Sequence, residues 1–366
     1  MKKIGIVTWF GGSNYGTSLQ AYALYHTVEQ LGAKAYLLRK HLSWRNVIGN
    51  FIRYIKGTSR PMPNQGLSSK KQKKIQTFKH NAFQQFPLCY GFIGKLIYSL
   101  QIQKLNCIIS GSDQLWNPYH TEPFLLLQNF KTKKYSYASS IGVTDIPTQY
   151  YPLYKKALAT YSAISVREST AIPILKHFTN CPITKVVDPT FLLTKHDWIK
   201  FASNSSLSIT FQQPYILCYF VAENGYYWER LQELQKVSGI SRVVVLPMKP
   251  GHFKNEYEII ESAGLEDFVQ LIAQSSIVCT DSFHATTISI NLQKDFITLL
   301  RFKSSDSISQ NSRIYDLLER YKLTNRLLDS PITSTLMPID YTETSKILER
   351  DRQDSIKYLK HILSEI

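Results

Sequence analysis

SSIVCTDSFHATTISIN, residues 275–291, runs from a strand into a helix with almost no turn between them. Ser276 to Thr280 is a strand-forming run, and the helical pattern begins immediately after Asp281-Ser282. Ser282 is placed to cap that helix, because its hydroxyl can accept from the free backbone N–H groups of the first turn. A strand feeding a helix in this way is the building unit of a parallel sheet covered by helices. His284 falls in the first helical turn, where unpaired N–H groups and the helix dipole attract phosphates and carboxylates. The imidazole is therefore either part of an anion site or a capped histidine of the core.

The same unit recurs on both sides of this stretch. From residue 214 the pattern reads strand 215–221, helix 226–239, strand 242–247, helix 266–275, strand 276–281, helix 283–293 and strand 296–302. Upstream it reads strand 2–10, helix 18–32 closed by Gly32, and strand 34–40, with further strands at 106–112, 133–141, 162–168 and 185–193. These patterns predict two doubly wound, Rossmann-like domains, residues 1–200 and 201–340, meeting in a polar run at 194–213. A helix at 341–366 is expected to pack back on the first domain. Two such sheets facing a cleft make an α/β fold of the GT-B-like kind. A basic helical insertion, about 41–105, interrupts the first domain with helical patches near 45–56, 68–83 and 92–104.

Composition narrows the class. Of 366 residues 43% are hydrophobic and 19% charged, an ordinary globular balance with enough chain for two full cores. The five cysteines are scattered and the nine histidines lack paired spacing, which points to reduced core thiols and to no metal site. The start, MKKIGIVTWFGG, reads as a strand rather than a signal peptide, and no apolar run approaches the ~18 residues of a spanning helix. A cytoplasmic protein is expected. The net charge of +16 is concentrated: residues 30–112 carry fourteen Lys and Arg and no acidic residue, so the other 283 residues hold +2.

In doubly wound sheets ligands sit beyond the carboxyl ends of the strands. In FGGSNYG (10–16) the glycines let the turn approach a ligand, and Asn14, Tyr15, Gly16 and Gln20 stand at the same opening. In IISGSDQLWNP (108–118), Asp113 and Gln114 suit sugar hydroxyls, with Ser112 and Asn117 beside them and Trp116 as an exposed face for a sugar ring. Asp113 could equally cap a turn. Arg167, in ISVRES (164–169), can hold a carboxylate or phosphate with two N–H groups, or can pair with Glu168. Asp188-Pro189, in VVDPTFLL (186–193), reads as a turn rather than as chemistry. Beyond the strand at 296–302 come Lys303 and, after a polar loop, Arg313.

Taken in order, FGGSNYGTSLQAYAL, IISGSDQLWNP, SYASSIG, SVRES, VVDPTFLL, TDSFHATTISI and SRIYDLLERYKL resemble the polysaccharide pyruvyl transferase family, from residue 4 to near 330. That resemblance implies a GT-B-like enzyme of capsule or exopolysaccharide biosynthesis. It implies transfer of a pyruvyl group from phosphoenolpyruvate to a sugar, with a pyruvate ketal as product. Arg167 and His284 match the family's donor-site arginine and histidine, and Lys303 falls where a donor-site lysine is expected.

On this reading His284 and Asp113 are catalytic, and Arg167, Lys303, Ser282 and Arg313 bind the donor. Asn14, Tyr15, Gly16, Gln20, Ser112, Gln114, Trp116 and Asn117 bind the acceptor on the first domain. No cofactor beyond phosphoenolpyruvate as donor substrate, no metal and no nucleic acid is expected. The competing readings are a nucleotide-sugar glycosyltransferase of the same fold and a basic protein gripping anionic polymer through 30–112. The basic stretch also predicts a peripheral protein of the inner membrane face, docked through an amphipathic segment at 44–56 and Lys70-Lys71-Gln72-Lys73-Lys74, whose acceptor is a lipid-diphosphate-linked oligosaccharide.

Overall fold

The computed structural model describes residues 1–40, 68–86, 91–207, 212–302, 306, 309–332 and 336–366. Lys303 and the segment 44–56 therefore lie outside the described residues. In the N-terminal half the described elements are β1 (Lys3–Val7), α1 (Tyr15–Gln30), β2 (Lys34–Leu37), α2 (Ser69–Ala82), α3 (Gly91–Gln103), β3 (Cys107–Ser110) and β4 (Lys133–Ser136). After them come α4 (Tyr151–Leu158), β5 (Ile164–Val166), α5 (Ala171–Leu175), β6 (Ile183–Lys185) and α6 (Lys195–Ala202). The second half contains β7 (Ile216–Tyr219), α7 (Tyr226–Ser238), β8 (Val243–Val245), β9 (Glu258–Ile259), α8 (Leu265–Gln274), β10 (Ile277–Thr280) and α9 (Phe283–Asn291). It ends with β11 (Asp295–Leu299), α10 (Ser312–Arg320), β12 (Leu327–Leu328) and α11 (Thr342–Ser364).

One sheet has the order β2-β1-β3-β4, the other β12-β11-β10-β7-β8-β9, and every pair is parallel. β5 and β6 pair with each other and continue the first sheet through bridges at Tyr135–Ala163 and Ser139–Val166. Central strands of such sheets are covered on both faces, which is why β1 and β10 read as unbroken apolar runs.

Several boundaries differ from the sequence pattern for local reasons. α1 begins at Tyr15 because the Asn14 side chain accepts from Thr17 N–H (3.2 Å) and starts the helix early. The run 185–193 is not a strand beyond Lys185: Asp188 caps a single turn at Pro189–Phe191, and a proline cannot donate to a ladder. The polar run 194–213 contains α6, opened by a capping box between Thr194 and Asp197 and anchored by buried Trp198 and Phe201. At the C-terminus α11 returns to the first sheet. Val187 N–H donates to Ser355 Oγ (3.0 Å), Tyr358 O–H to the Ser136 carbonyl (3.0 Å) and Arg352 Nε to the Phe191 carbonyl (2.6 Å).

The basic insertion is used differently from the expectation of a membrane-facing lysine cluster. Lys71 and Lys79 lie with Ile75 at helical spacing on the buried face of α2. Lys79 donates to the Gly12 carbonyl (2.7 Å), while Lys71 sits 4.1 Å over the Tyr15 ring and reaches Met248 Sδ (3.2 Å). Lys74 pairs with Asp267 at 2.8 Å. α2 thus straps the two halves together, and within the cluster Lys70 and Lys73 remain exposed. On α3, Ile93, Leu96, Ile97 and Leu100 face solvent while Ile102 joins the core. Among the described residues no helix is long and apolar enough to cross a membrane.

Burial pushes the Lys71 ammonium down to about 7 from its ordinary 10.5. Between those values the unfolded chain binds more protons than the folded one, so stability rises with pH across that window. Lys71→Met should therefore melt higher than wild type near pH 7, with the difference shrinking toward pH 10. Melting curves at pH 7 to 10 check this, and a difference that stays constant with pH would contradict it.

Candidate active site

The ends of four strands bring the site together. Asp113 follows β3, Arg167 follows β5, Asp188 follows β6, and His284 stands in the first turn of α9 after β10. Ser282 does cap that helix, its Oγ accepting from Ala285 N–H at 3.4 Å. The first turn of α1 arrives from the other half of the molecule and presses on the same imidazole. A Cβ built on Gly16 would lie 2.5 Å from His284 Cβ and Nδ1. Two helix N-termini, each with free N–H groups and a positive dipole end, therefore meet at His284.

Asp188 organises the groups around it. Its Oδ2 accepts from Arg167 Nη1 (3.0 Å) and Ser112 Oγ (3.3 Å) and lies 3.6 Å from His284 Nε2. Its Oδ1 accepts from the N–H (3.0 Å) and hydroxyl (2.8 Å) of Thr190. Burial works to raise the Asp188 pKa, but the charges of His284 and Arg167 outweigh it and hold the carboxyl well below the usual range. Glu168 is turned elsewhere: its Oε1 accepts from Ser140 Oγ and from the N–H groups of Ile141 and Gly142, and its Oε2 is 3.8 Å from Arg167 Nε. Of the two readings of Arg167, the pair with the neighbouring glutamate is thus the weaker contact.

What remains unpaired is informative. Arg167 Nε and Nη2 and His284 Nε2 are buried without a hydrogen-bond partner. Leaving one buried polar group unsatisfied costs about 1–3 kcal/mol, so three such nitrogens around one carboxylate describe a place for an anion. The Arg167 guanidinium lies 4.2 Å from the centroid of the Phe283 ring, and that of Arg313 lies 5.8 Å from the same ring. Burial, and then the Arg167 charge, push Arg313 down to about 9. An anion between the two arginines would relieve that repulsion.

A cleft of ≈ 750 Å³ opens on this cluster. Arg167, Asp188, Phe283 and Arg313 form its inner end, and it runs outward along α10 and α11. His284 is not on the cleft wall; it is set behind Asp188.

Asp113 is held in the left-handed region (φ 71°), a strained conformation for a residue with a Cβ. Its carboxylate accepts from Gln114 N–H (2.9 Å) and Thr17 Oγ (3.3 Å). Burial opposes ionisation, but His284, Arg167 and Arg313 together lower its pKa. Gln114 reaches both Gln310 and Arg313, tying the first half to the loop before α10.

Several residues expected to meet a sugar are closed off. Trp116 is fully buried, because the single turn Gln114–Trp116 rolls the indole inward, where its N–H donates to Ser110 Oγ (3.0 Å). It offers no face to a ligand. Asn117 is buried too, its amide on Gln114. Gln20 has its amide on Thr8 Oγ and on the carbonyls of Trp9 and Thr17. Tyr15 stacks on Phe268 (4.6 Å) and donates to the Ala263 carbonyl (3.0 Å), so it pins the two halves together. Asn14 caps α1, and Ser112 is bound to Asp188.

The sequence reading missed Asp188 and Phe283. Asp188 had a usable signal, a carboxylate just past a strand, which the adjoining proline turn concealed. Among the described residues no cluster of His, Cys, Asp or Glu is arranged to hold a metal ion.

A family model described as polysaccharide pyruvyl transferase matches residues 14–301. The chain belongs to the polysaccharide pyruvyl transferase family. Membership indicates a transferase acting on polysaccharide, and all the candidate catalytic, donor and acceptor residues except Lys303 and Arg313 fall within the matched span. No curated protein sequence matches the chain significantly.

Among solved structures, this family member is similar to UDP-GlcNAc 2-epimerase of Neisseria meningitidis bound to UDP-GlcNAc. The identity is 12%, the TM-score is 0.50, and the match covers 99% of this chain and 93% of that one. It is similar also to Methanocaldococcus jannaschii UDP-GlcNAc 2-epimerase in complex with UDP-GlcNAc and UDP (12%, TM-score 0.50, 96% and 99%). A third is Arabidopsis thaliana UGT89C1 (9%, TM-score 0.51, 99% and 98%). At these identities the likeness is one of fold, and the fold is GT-B.

Replacing Asp188 leaves Arg167 and His284 facing each other without their shared counter-charge. Asp188→Asn should destabilise the protein by about 3–5 kcal/mol, the cost of breaking a buried ion pair from one side. Denaturant unfolding at pH 7 measures it, and a loss under about 1 kcal/mol would mean that Asp188 does not hold the cluster.

Proposed function

We propose that this family member transfers the pyruvyl group of phosphoenolpyruvate to two hydroxyls of a saccharide, forming a pyruvate ketal and releasing inorganic phosphate. The observation that carries the reading is the set of buried, unpartnered nitrogens on Arg167 and His284 where two helix N-termini meet. Phosphoenolpyruvate has a carboxylate and a phosphate close together, and such a ligand suits helix N–H groups reinforced by fixed cations. Arg167 takes one anionic group with its two free N–H donors. Arg313, on the same Phe283 ring, faces the other.

The reaction begins with a proton delivered to the enol CH₂, which becomes a methyl group and leaves positive charge on C2. His284 supplies that proton by way of Asp188, which lines the cleft and whose Oδ2 lies 3.6 Å from the imidazole Nε2. One acceptor hydroxyl bonds to C2, the C2–O bond to phosphate breaks and the phosphate takes that electron pair. The second hydroxyl then closes the ketal. Each hydroxyl gives up a proton; one replaces the proton used on carbon and the other leaves with phosphate. Asp113, with its lowered pKa, is a weak base. A hydroxyl attacking a carbocation becomes strongly acidic, so a weak base is enough for that step.

Thermal melting with added phosphoenolpyruvate or added UDP-sugars tests the donor. Phosphoenolpyruvate should raise the melting temperature; a rise with UDP-sugars alone would favour a nucleotide-sugar glycosyltransferase. With the donor established, His284→Ala should lower turnover by roughly 10²–10⁴-fold while the fold is kept. Near-normal turnover would reduce this histidine to a packing residue.

A further inference from the structure

We propose that the outer arm of the cleft, between the β5–β6 edge and helices α10 and α11, is the acceptor subsite, and that it selects a neutral or amino-bearing saccharide over an acidic one. The proposal rests on the pyruvyl-transfer reading for what the acceptor receives, but its evidence is separate. The cleft is one continuous space of ≈ 750 Å³. Pockets of roughly 300–1,000 Å³ enclose molecules of several rings, so a three-carbon phosphate at the inner end leaves most of the space unfilled. The first-domain residues expected to bind the acceptor are largely closed off, Trp116, Asn117, Gln20 and Tyr15 among them. Arg167, buried and with Nη2 unpartnered, lines the same cleft at its inner end, so a hydroxyl arriving along the arm meets the donor there.

The lining gives the chemical class. Along the arm stand Asp316, Glu319, Asp351 and Asp354 against Lys185 and Arg320. Both cations are already engaged. Lys185 pairs with Asp316 at 2.8 Å, and Arg320 Nε donates to Asp351 Oδ2 at 2.8 Å. Asp316 also accepts from Ser169 N–H (3.2 Å), bracing α10 against the end of β5. Glu319 and Asp354 are exposed, Asp354 with Lys357 Nζ 3.0 Å away on its outer side, and the arm's lining carries four carboxylates against two cations. Carboxylates accept hydrogen bonds from sugar hydroxyls and attract an ammonium group, whereas a uronate meets like charge.

Ligand-observed NMR on the full chain tests this with three probes, the p-nitrophenyl β-glycosides of galactose, glucosamine and glucuronic acid. Wild type should bind the galactoside and the glucosaminide several-fold more tightly than the glucuronide. Thr170→Trp, which narrows the arm from the start of α5, should weaken the galactoside at least tenfold. The double variant Glu319→Lys/Asp354→Lys changes exposed charges only, so it should fold even if the tryptophan does not, and it should reverse the preference between glucosaminide and glucuronide. The stabilisation by phosphoenolpyruvate should be the same in all three proteins. The subsite is overturned if wild type binds none of the probes, if it binds the glucuronide as tightly as the galactoside, or if the double variant keeps the wild-type order. A correct saccharide pattern without any response to phosphoenolpyruvate would uphold the subsite and remove the donor assignment instead.

Discussion

The ion pair between Arg167 and Asp188, buried at 3.0 Å, is the contact on which the site depends. Taking two charges out of water costs several kcal/mol per ion, and mutual attraction returns that only when the remaining valences are filled. On the carboxylate they are filled, by Ser112 and by the two donors of Thr190. On the guanidinium they are not. The proposed anion site rests on that asymmetry. The carboxylate fixes the arginine in place and leaves its outer donors available to a ligand.

The same cluster depends on how the two sheets are held. His284 belongs to the second sheet's connections and Asp188 to the first, so their approach at 3.6 Å links the two sheets. It persists because Gly16 has no side chain where the imidazole lies, and because Tyr15 beside it stacks on Phe268 of α8. Thr190, which donates to Asp188, also bonds to Thr287 of α9 at 2.9 Å. α2 adds Lys74 to Asp267, and α11 ties Phe191 and Asn291 together through Arg352. The proposed anion site and the contacts between the two sheets therefore share residues.

Much of this was legible in the sequence, and for identifiable reasons. The helix stops at Gly32 and Gly239 are positive-φ positions, at 87° and 68°, that glycine adopts without strain. The cap at Ser282 and the strand-end positions of Arg167 and His284 follow from local pattern alone. What could not be read is what depends on depth and on distant partners. Whether Trp116 points out or in is decided by one turn of chain and by Ser110 six residues earlier. Asp188 forms its turn as expected, yet its second oxygen meets partners 21 and 96 residues away. The lysines of α2 carry a surface-like composition, and only the packing of that helix across both halves reveals that Lys71 is buried.

The central claim is that the nitrogens of Arg167 left without partners form the donor's anion site, with His284 behind Asp188 as its proton source. A crystal structure of the protein soaked with phosphoenolpyruvate tests it most directly. The account predicts the carboxylate or phosphate within hydrogen-bond distance of Arg167 Nη2, with Asp188 between the enol carbon and His284 Nε2. Phosphoenolpyruvate bound away from this cluster, with Arg167 still unpartnered, would contradict it.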